Sequence, residues 1–265
     1  MAPQVDINCD MGESFGVFRM GEDEQILASV SSANVACGFH AGDPRVMDAT
    51  VLAAANRGVA VGAHPGFPDL QGFGRRNLKV SAVEARTDVL YQIGALSAFC
   101  RRHGITVSHV KPHGQLNNLA FHDRDLAEAI VAGIGDFRED LVVVAYGGWL
   151  RRAAEAAGLP VAHEVYADRA YQPDGTLVPR AQDGALIRNP DEVARRAVDM
   201  VREGRVQAVD GSFIDLQVDT ICVHGDTPGA ASLAKHLRAA LSDAGIDVAP
   251  MGKLLACRGS RPQEI

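Results

Sequence analysis

Val5-Asp6-Ile7-Asn8-Cys9-Asp10 is a short apolar run with polar residues at alternate positions, and it ends on an acid. On a strand, residues 6, 8 and 10 share one face. The same pattern, an apolar run closing on a reactive polar residue, recurs along the chain. His40 follows Ala33 to Phe39, and His64 follows Val59 to Ala63. Lys111 and His113 follow Val107-Ser108-His109-Val110, and Tyr146 follows Leu141 to Ala145. Asp168 and Arg169 follow Val161 to Ala167, while His224 and Asp226 follow Ile221-Cys222-Val223. Helix-like segments come after most of these points. Reactive groups at the exits of successive buried strands are how a β/α barrel builds an active site. The sequence therefore predicts an α/β enzyme with a TIM-like barrel.

Seven strands are expected, at 5–9, 33–38, 59–63, 106–110, 141–145, 161–166 and 219–223. They are short and almost wholly apolar, as strands covered on both faces must be. Local signals mark the helices between them. Residues 22–30 read as a short helix. Asp43-Pro44 opens a helix that stops at Gly58, with Asp as acceptor for free N–H groups and Pro in the first turn. Ser81-x-x-Glu84 is a capping box for a helix running to His103. Asp123 opens the next, and a further one spans Trp149 to Ala157. Asn189-Pro190 starts one ending at Glu203-Gly204, and Thr227-Pro228 opens the last, which ends at Gly245. Val248 could begin an eighth strand, but the run is short and meets Pro250. Residues 171–188 carry the turn Pro173-Asp174-Gly175, and Asp210-Gly211 signals a hairpin within 206–217. No linker divides the chain. One domain is expected over 1–257, followed by a loose polar tail at 258–265.

The 265 residues suit one barrel domain. A net charge of -7 argues against nucleic acid as a partner. The five cysteines form no CxxC pair, and Cys9, Cys37 and Cys222 sit in apolar runs. Reduced thiols in a cytoplasmic protein are the simple reading. The first residues lack the basic-then-apolar order of a signal peptide, and no run approaches a membrane span.

The candidate residues each have a bland reading beside the chemical one. Asp10 reads as a general base or metal ligand, with Asn8 positioning substrate; a buried hydrogen-bond network is the alternative. Glu13 lies in a stretch that could be plain loop. His40 sits between Gly38 and Gly42, which permit tight turns, and Asp43 is a helix cap. His64 opens the rigid stretch His64-Pro65-Gly66-Phe67-Pro68-Asp69. Arg75 and Arg76 suit a carboxylate or phosphate, or are exposed loop charge. Lys111 closes a buried strand, which is costly unless it meets an anion; it reads as an anion holder and His113 as acid or base. His109 is expected to be a core histidine, and His103, His122, His163 and His236 to be helix or surface residues. Asp168-Arg169 is either part of the site or a structural ion pair, and His224 and Asp226 stand at the last strand exit. The chain has no P-loop and no His-Glu-x-x-His. Several His with Asp10 could hold a divalent metal, which spacing alone does not test.

Five motifs in order, Val5 to Glu13, Asn34 to Asp43, His64 to Asp69, Gly72 to Arg76 and Val110-Lys111-Pro112-His113-Gly114, resemble the LamB/YcsF family. The likeness runs from about residue 5 to residue 257 and includes Asp168-Arg169-Ala170-Tyr171 and Val223-His224-Gly225-Asp226. The resemblance implies a seven-stranded β/α barrel of the glycoside hydrolase/deacetylase type. It also implies ATP-dependent opening of 5-oxo-L-proline to L-glutamate, with this chain as the A subunit of a 5-oxoprolinase working with subunits B and C. ATP, with its Mg, would be the cofactor, and the missing P-loop lets the partners hold it. Asp10, with His64, would activate water, and Lys111 would stabilise anionic oxygen. His40, His113 and His224 would orient the ring or protonate its nitrogen, and Arg75 or Arg76 would hold the carboxylate. Two other readings stand beside this one: a stand-alone metal-dependent amidohydrolase or carbohydrate deacetylase, and a non-catalytic substrate-binding subunit.

Overall fold

A computed structural model describes residues 2–180, 182–225 and 229–259. Seven parallel strands close into a ring: β1 (Gln4–Met11), β2 (Ser32–Ala36), β3 (Ala60–His64), β4 (Val107–Val110), β5 (Val142–Ala145), β6 (Val161–Val165) and β9 (Thr220–Val223). Each pairs with the next, and β9 returns to β1 through Asp6↔Thr220 to Cys9↔Val223. The seven βα units expected from the sequence are present. β7 (Arg205–Gln207) and β8 (Phe213–Asp215) form the expected antiparallel hairpin. β10 (Asp247–Val248), at the short run before Pro250, pairs with the start of β1 at Gln4 and Val5. It does not enter the ring, because β9 already occupies that edge of β1 further along.

The apolar core lies between the ring and its helices. On β1, Val5, Ile7, Cys9 and Met11 belong to it. α3 (Ala82–Arg102) buries Ala85, Val89, Ile93, Leu96 and Cys100, a stripe at helical spacing. Its capping box is formed, with Ser81 and Glu84 each satisfying the other's backbone. Asp43 caps α2 (Pro44–Asn56), Asp123 caps α5 (Arg124–Phe137) and Asn189 caps α7 (Pro190–Glu203), as their sequences predict. α6 covers Gly148–Ala156 and α8 covers Ala230–Asp243. The Thr227-Pro228 start signal lies outside the described residues.

Three expectations change. β1 runs to Met11, so Asp10 is inside the strand. The helix expected at 22–30 shrinks to α1 (Asp23–Ile26). Two helices lack a sequence signal: α4 (Gly114–His122), which starts directly after His113, and α9 (Met251–Gly259). Gly114, Asn117 and Asn118 are poor helix formers, and His113 supplies no side-chain cap. Burial of Leu116 and Ala120 overrides those preferences. In α9, Met251 and Leu254 are buried and anchor the segment against the base of the barrel. No described helix is long and apolar enough to cross a membrane.

Candidate functional site

Inside the barrel, the alternate residues of β1 meet polar residues from its neighbours in three tiers. At the base, Asp6 accepts hydrogen bonds from Ser31, Ser32 and Thr220. Burial nevertheless pushes its carboxyl up to about 6. In the middle, Asn8 donates to Thr220 (2.7 Å) and to Glu164 (3.1 Å), and accepts from Asn34 (2.7 Å). His109 reaches Asn34 Oδ1 through Nε2 at 2.8 Å, and burial holds its pKa down to about 3. It is the core histidine the sequence predicts.

The top tier holds the charges. Lys111 is buried, with Nζ 3.0 Å from Asp10 Oδ1, 2.8 Å from Glu164 Oε1, 3.2 Å from Asn8 Oδ1 and 3.1 Å from Cys222 Sγ. Burial opposes its charge, but the Asp10, Cys222 and Glu164 neighbours hold its pKa well above the usual lysine value. Asp10 also accepts from Asn34 (2.8 Å), and its Oδ2 lies 3.4 Å from His64 Nε2. Burial would raise its carboxyl, yet His64 and Lys111 hold it well below the usual range. Glu164 accepts from the Tyr166 hydroxyl as well.

His64, His113, His40 and Glu13 pack beside Asp10. His64 Nδ1 donates to the Lys111 carbonyl at 2.6 Å, and His113 Nε2 to the Phe73 carbonyl at 2.8 Å. Their other nitrogens face each other at 2.9 Å. His40 stacks flat on His113, 3.7 Å between ring centroids with planes 2° apart, and its Nε2 is 3.3 Å from Glu13 Oε1. Burial drives the His40 pKa well down and that of His113 to about 3. Close backbone makes room for His40: a Cβ on Gly66 would lie 2.5 Å from its Nδ1, and Gly42 is left-handed at φ +80 with a Cβ position 2.7 Å from the Gly12 carbonyl. Phe73 holds φ +54, uncommon for a bulky residue, and this turn delivers the carbonyl that fixes His113.

Across the mouth, His224 Nδ1 lies 2.9 Å from Asp168 Oδ2, and Tyr166 stacks on its ring. Burial would raise the Asp168 carboxyl; His224 holds it below the usual range. Between the two groups opens a cavity of about 750 Å³, lined by Asp10, His64, Lys111, His113 and His224, with Arg75, Arg169 and Arg180 among its walls.

Asp10, His64, Lys111, His113, His224, Arg75 and Arg169 thus come together around one space. His40 and Glu13 stand behind it, and Asn8 lies below it. Arg76 is not on the wall: it is paired with Asp69, donating from Nε at 2.7 Å. Asp168 partners His224, not Arg169, whose Nη2 donates to the Val178 carbonyl at 2.7 Å. Asp226 lies outside the described residues. The anions that meet Lys111 are Asp10 and Glu164, so its N–H groups are already engaged. Glu164, Tyr166 and Arg180 join the site without having stood out in the sequence. An acid within Val161-Ala162-His163-Glu164-Val165 is the available signal for Glu164, with Tyr166 on the same face two residues on.

A protein from Pyrococcus horikoshii that bears the name of the 5-oxoprolinase A subunit is 50% identical over 253 residues, covering 95% of this chain and 99% of the relative. The crystal structure of a lactam utilization protein from Thermus thermophilus superposes with TM-score 0.90 at 48% identity, covering 93% of this chain and 99% of that one. The T48 deacetylase, solved with substrate, matches at TM-score 0.53 and 13% identity over 97% of this chain and 92% of that one, a likeness of fold alone. The LamB/YcsF family pattern spans residues 5–256 and takes in every strand of the ring, so the chain belongs to the LamB/YcsF family.

Proposed function

We propose that this chain opens the ring of 5-oxo-L-proline to L-glutamate, as the hydrolytic A subunit of an ATP-dependent 5-oxoprolinase. The names borne by its relatives support the substrate. The observation that carries the chemistry is the pairing of a His–Asp dyad with a Lys–Asp–His cluster across one cavity. Asp168 fixes the His224 tautomer, leaving Nε2 to take a proton from water. That water adds to the ring carbonyl carbon. The ring C–N bond then breaks, the nitrogen takes up a proton as it leaves, and a second water hydrolyses the acyl phosphate so formed to the free carboxylate and inorganic phosphate. Asp10 has Oδ1 occupied by Asn34 and Lys111, so its work is to hold His64 and Lys111 in place and to set the field felt by the reacting carbonyl. Arg75, Arg169 and Arg180 suit the substrate carboxylate and a phosphoryl group on the activated lactam oxygen.

A lactam is a stable amide, and phosphorylation of its oxygen turns it into an electrophile. ATP and its Mg belong to that activating step, and partner subunits B and C hold them in this reading. The free cysteines and the need for ATP fit a cytoplasmic enzyme. The test is glutamate release from 5-oxoproline by the chain alone and with subunits B and C, with and without ATP. Release only from the complete mixture with ATP is expected. Release by the chain alone without ATP would replace this reading with a stand-alone amidohydrolase, and no release from any assembly would remove the substrate.

A further inference from the structure

His64 and His113 each spend one ring N–H on a backbone carbonyl, that of Lys111 and that of Phe73. Neutral imidazole has one N–H and one lone pair. With both rings neutral, the remaining nitrogens, His64 Nε2 and His113 Nδ1, present lone pairs that face each other at 2.9 Å. Two lone pairs at that distance need a proton or a metal ion between them, and Asp10 Oδ2, 3.4 Å from His64 Nε2, favours positive charge there. Glu13 Oε1 stands 3.6 Å from His113 Nδ1, adding a negative donor on one side. The donor atoms of Glu13, His40, His64 and His113 all lie within 4.8 Å of one another.

We infer that Glu13, His64 and His113 form a site for one divalent transition-metal ion of the zinc class, held by Glu13 Oε1, His64 Nε2 and His113 Nδ1. Metal–ligand bonds of about 2.0–2.2 Å around a tetrahedral ion put its donors roughly 3.3–3.5 Å apart. The 3.6 Å separation fits that spacing, and the 2.9 Å pair needs to open by only about half an ångström. Carbonyl anchors on the far nitrogen of each histidine are the arrangement that orients metal-bound imidazole. His40 is not a ligand in this set. Its ring is parallel to His113 and stacked on it, so the two in-plane lone pairs cannot converge on one ion. Its Nε2 donates instead to Glu13 and aims the carboxylate, while Nδ1 faces Gly66 and has no partner among the described residues. An N₂O donor set suits Zn²⁺, Co²⁺ or Ni²⁺ better than Mg²⁺ or Ca²⁺, which favour all-oxygen ligands. His64 and His113 also line the cavity, so a bound ion would act as a Lewis acid toward the substrate carbonyl or a water.

The inference deepens the ring-opening reading through the same cavity, and its test needs neither 5-oxoproline, ATP nor partner subunits. The full chain is stripped with a chelator and titrated with Co²⁺, followed by visible absorption, and with Zn²⁺, followed by metal content after gel filtration. One ion per chain is expected, with affinity lowered about 100-fold or more by His113→Gln and by Glu13→Gln. His40→Gln is expected to cost about tenfold, the size of an effect exerted through a ligand. His236→Gln, near Asp191 on the surface, is expected to change nothing. No retained ion at 100-fold excess of either metal over protein, or full retention by both His113→Gln and Glu13→Gln, would overturn the site. Should a variant fail to fold, the wild-type chain decides: imidazole nitrogen signals of His64 and His113 move on adding Zn²⁺, or the site is wrong.

Discussion

Lys111 stands where two acids meet, and its removal would leave both without their common partner. Breaking a buried pair by deleting one side costs about 3–5 kcal/mol, because a charge is left uncompensated. Lys111→Met is therefore expected to lose stability of that order in chemical denaturation, although Met is nearly as long and more apolar. A loss below about 1 kcal/mol would mean that Asp10 and Glu164 find other donors or take up protons. Asp168 belongs to a different kind of argument. Asp168→Asn keeps the shape but no longer favours the His224 tautomer with its proton on Nδ1. In the assembled enzyme, kcat is expected to fall about 10²–10⁴-fold with a much smaller change in KM. Near-normal kcat would take the dyad out of the proton transfers. His40 and Asn8 show the limit of reading residue types: their sequence contexts look as reactive as that of His64. One nonetheless lies behind the site and the other below it.

At the scale of the element, the ends of helices are more legible than their existence. Ser81, Asp43, Asp123 and Asn189 all cap as their sequences predict, because a cap is a local hydrogen bond between near neighbours. Ser81→Ala removes one half of an exposed capping box, so melting experiments should show a loss of about 1 kcal/mol, with glutamate release unchanged. A loss of activity would tie α3 to the site in a way its position does not suggest. α4 is invisible in the sequence for the converse reason. Its residues favour loop, and its helix is held by contacts of Leu116 and Ala120 with distant parts of the chain. The strand end that carries His64 and the short loops that carry His40 and His113 stand out as motifs, whereas the left-handed Phe73 that fixes His113 carries no signal in its own type.

Across the whole molecule, the barrel keeps its apolar core outside the ring and fills the ring with polar tiers, and stability then depends on pH from the base upward. Asp6 has its pKa raised to about 6 in the fold, against about 3.9 in an unfolded chain. A raised carboxyl contributes stability that is full below the unfolded value and is lost as pH rises through the folded one. The shift of about two units corresponds to roughly 3 kcal/mol. Unfolding free energy is thus expected to carry a downward contribution between about pH 4 and pH 6. Asp6→Asn should remove that contribution and flatten the profile over this window. An unchanged profile in a folded variant would place the Asp6 pKa in the ordinary range.

The sequence by itself determined the number of strands, their order, the capped helix starts and the residues delivered to the mouth of the ring. These follow from patterns of a few residues: apolar runs of strand length, Asx-Pro and Ser-x-x-Glu starts, and reactive residues at strand exits. Tertiary structure alone decided the partnerships. Lys111 with Glu164, His224 with Asp168 and His64 with His113 join residues 53, 56 and 49 positions apart. Such pairs are set by which strands lie side by side in the ring: β3 beside β4, β6 beside β9, and β4 and β6 on either side of β5. A linear pattern shows which residues reach the mouth of the barrel. Which of them share a proton, a charge or an ion depends on distances of about 3 Å that exist only once the ring has closed.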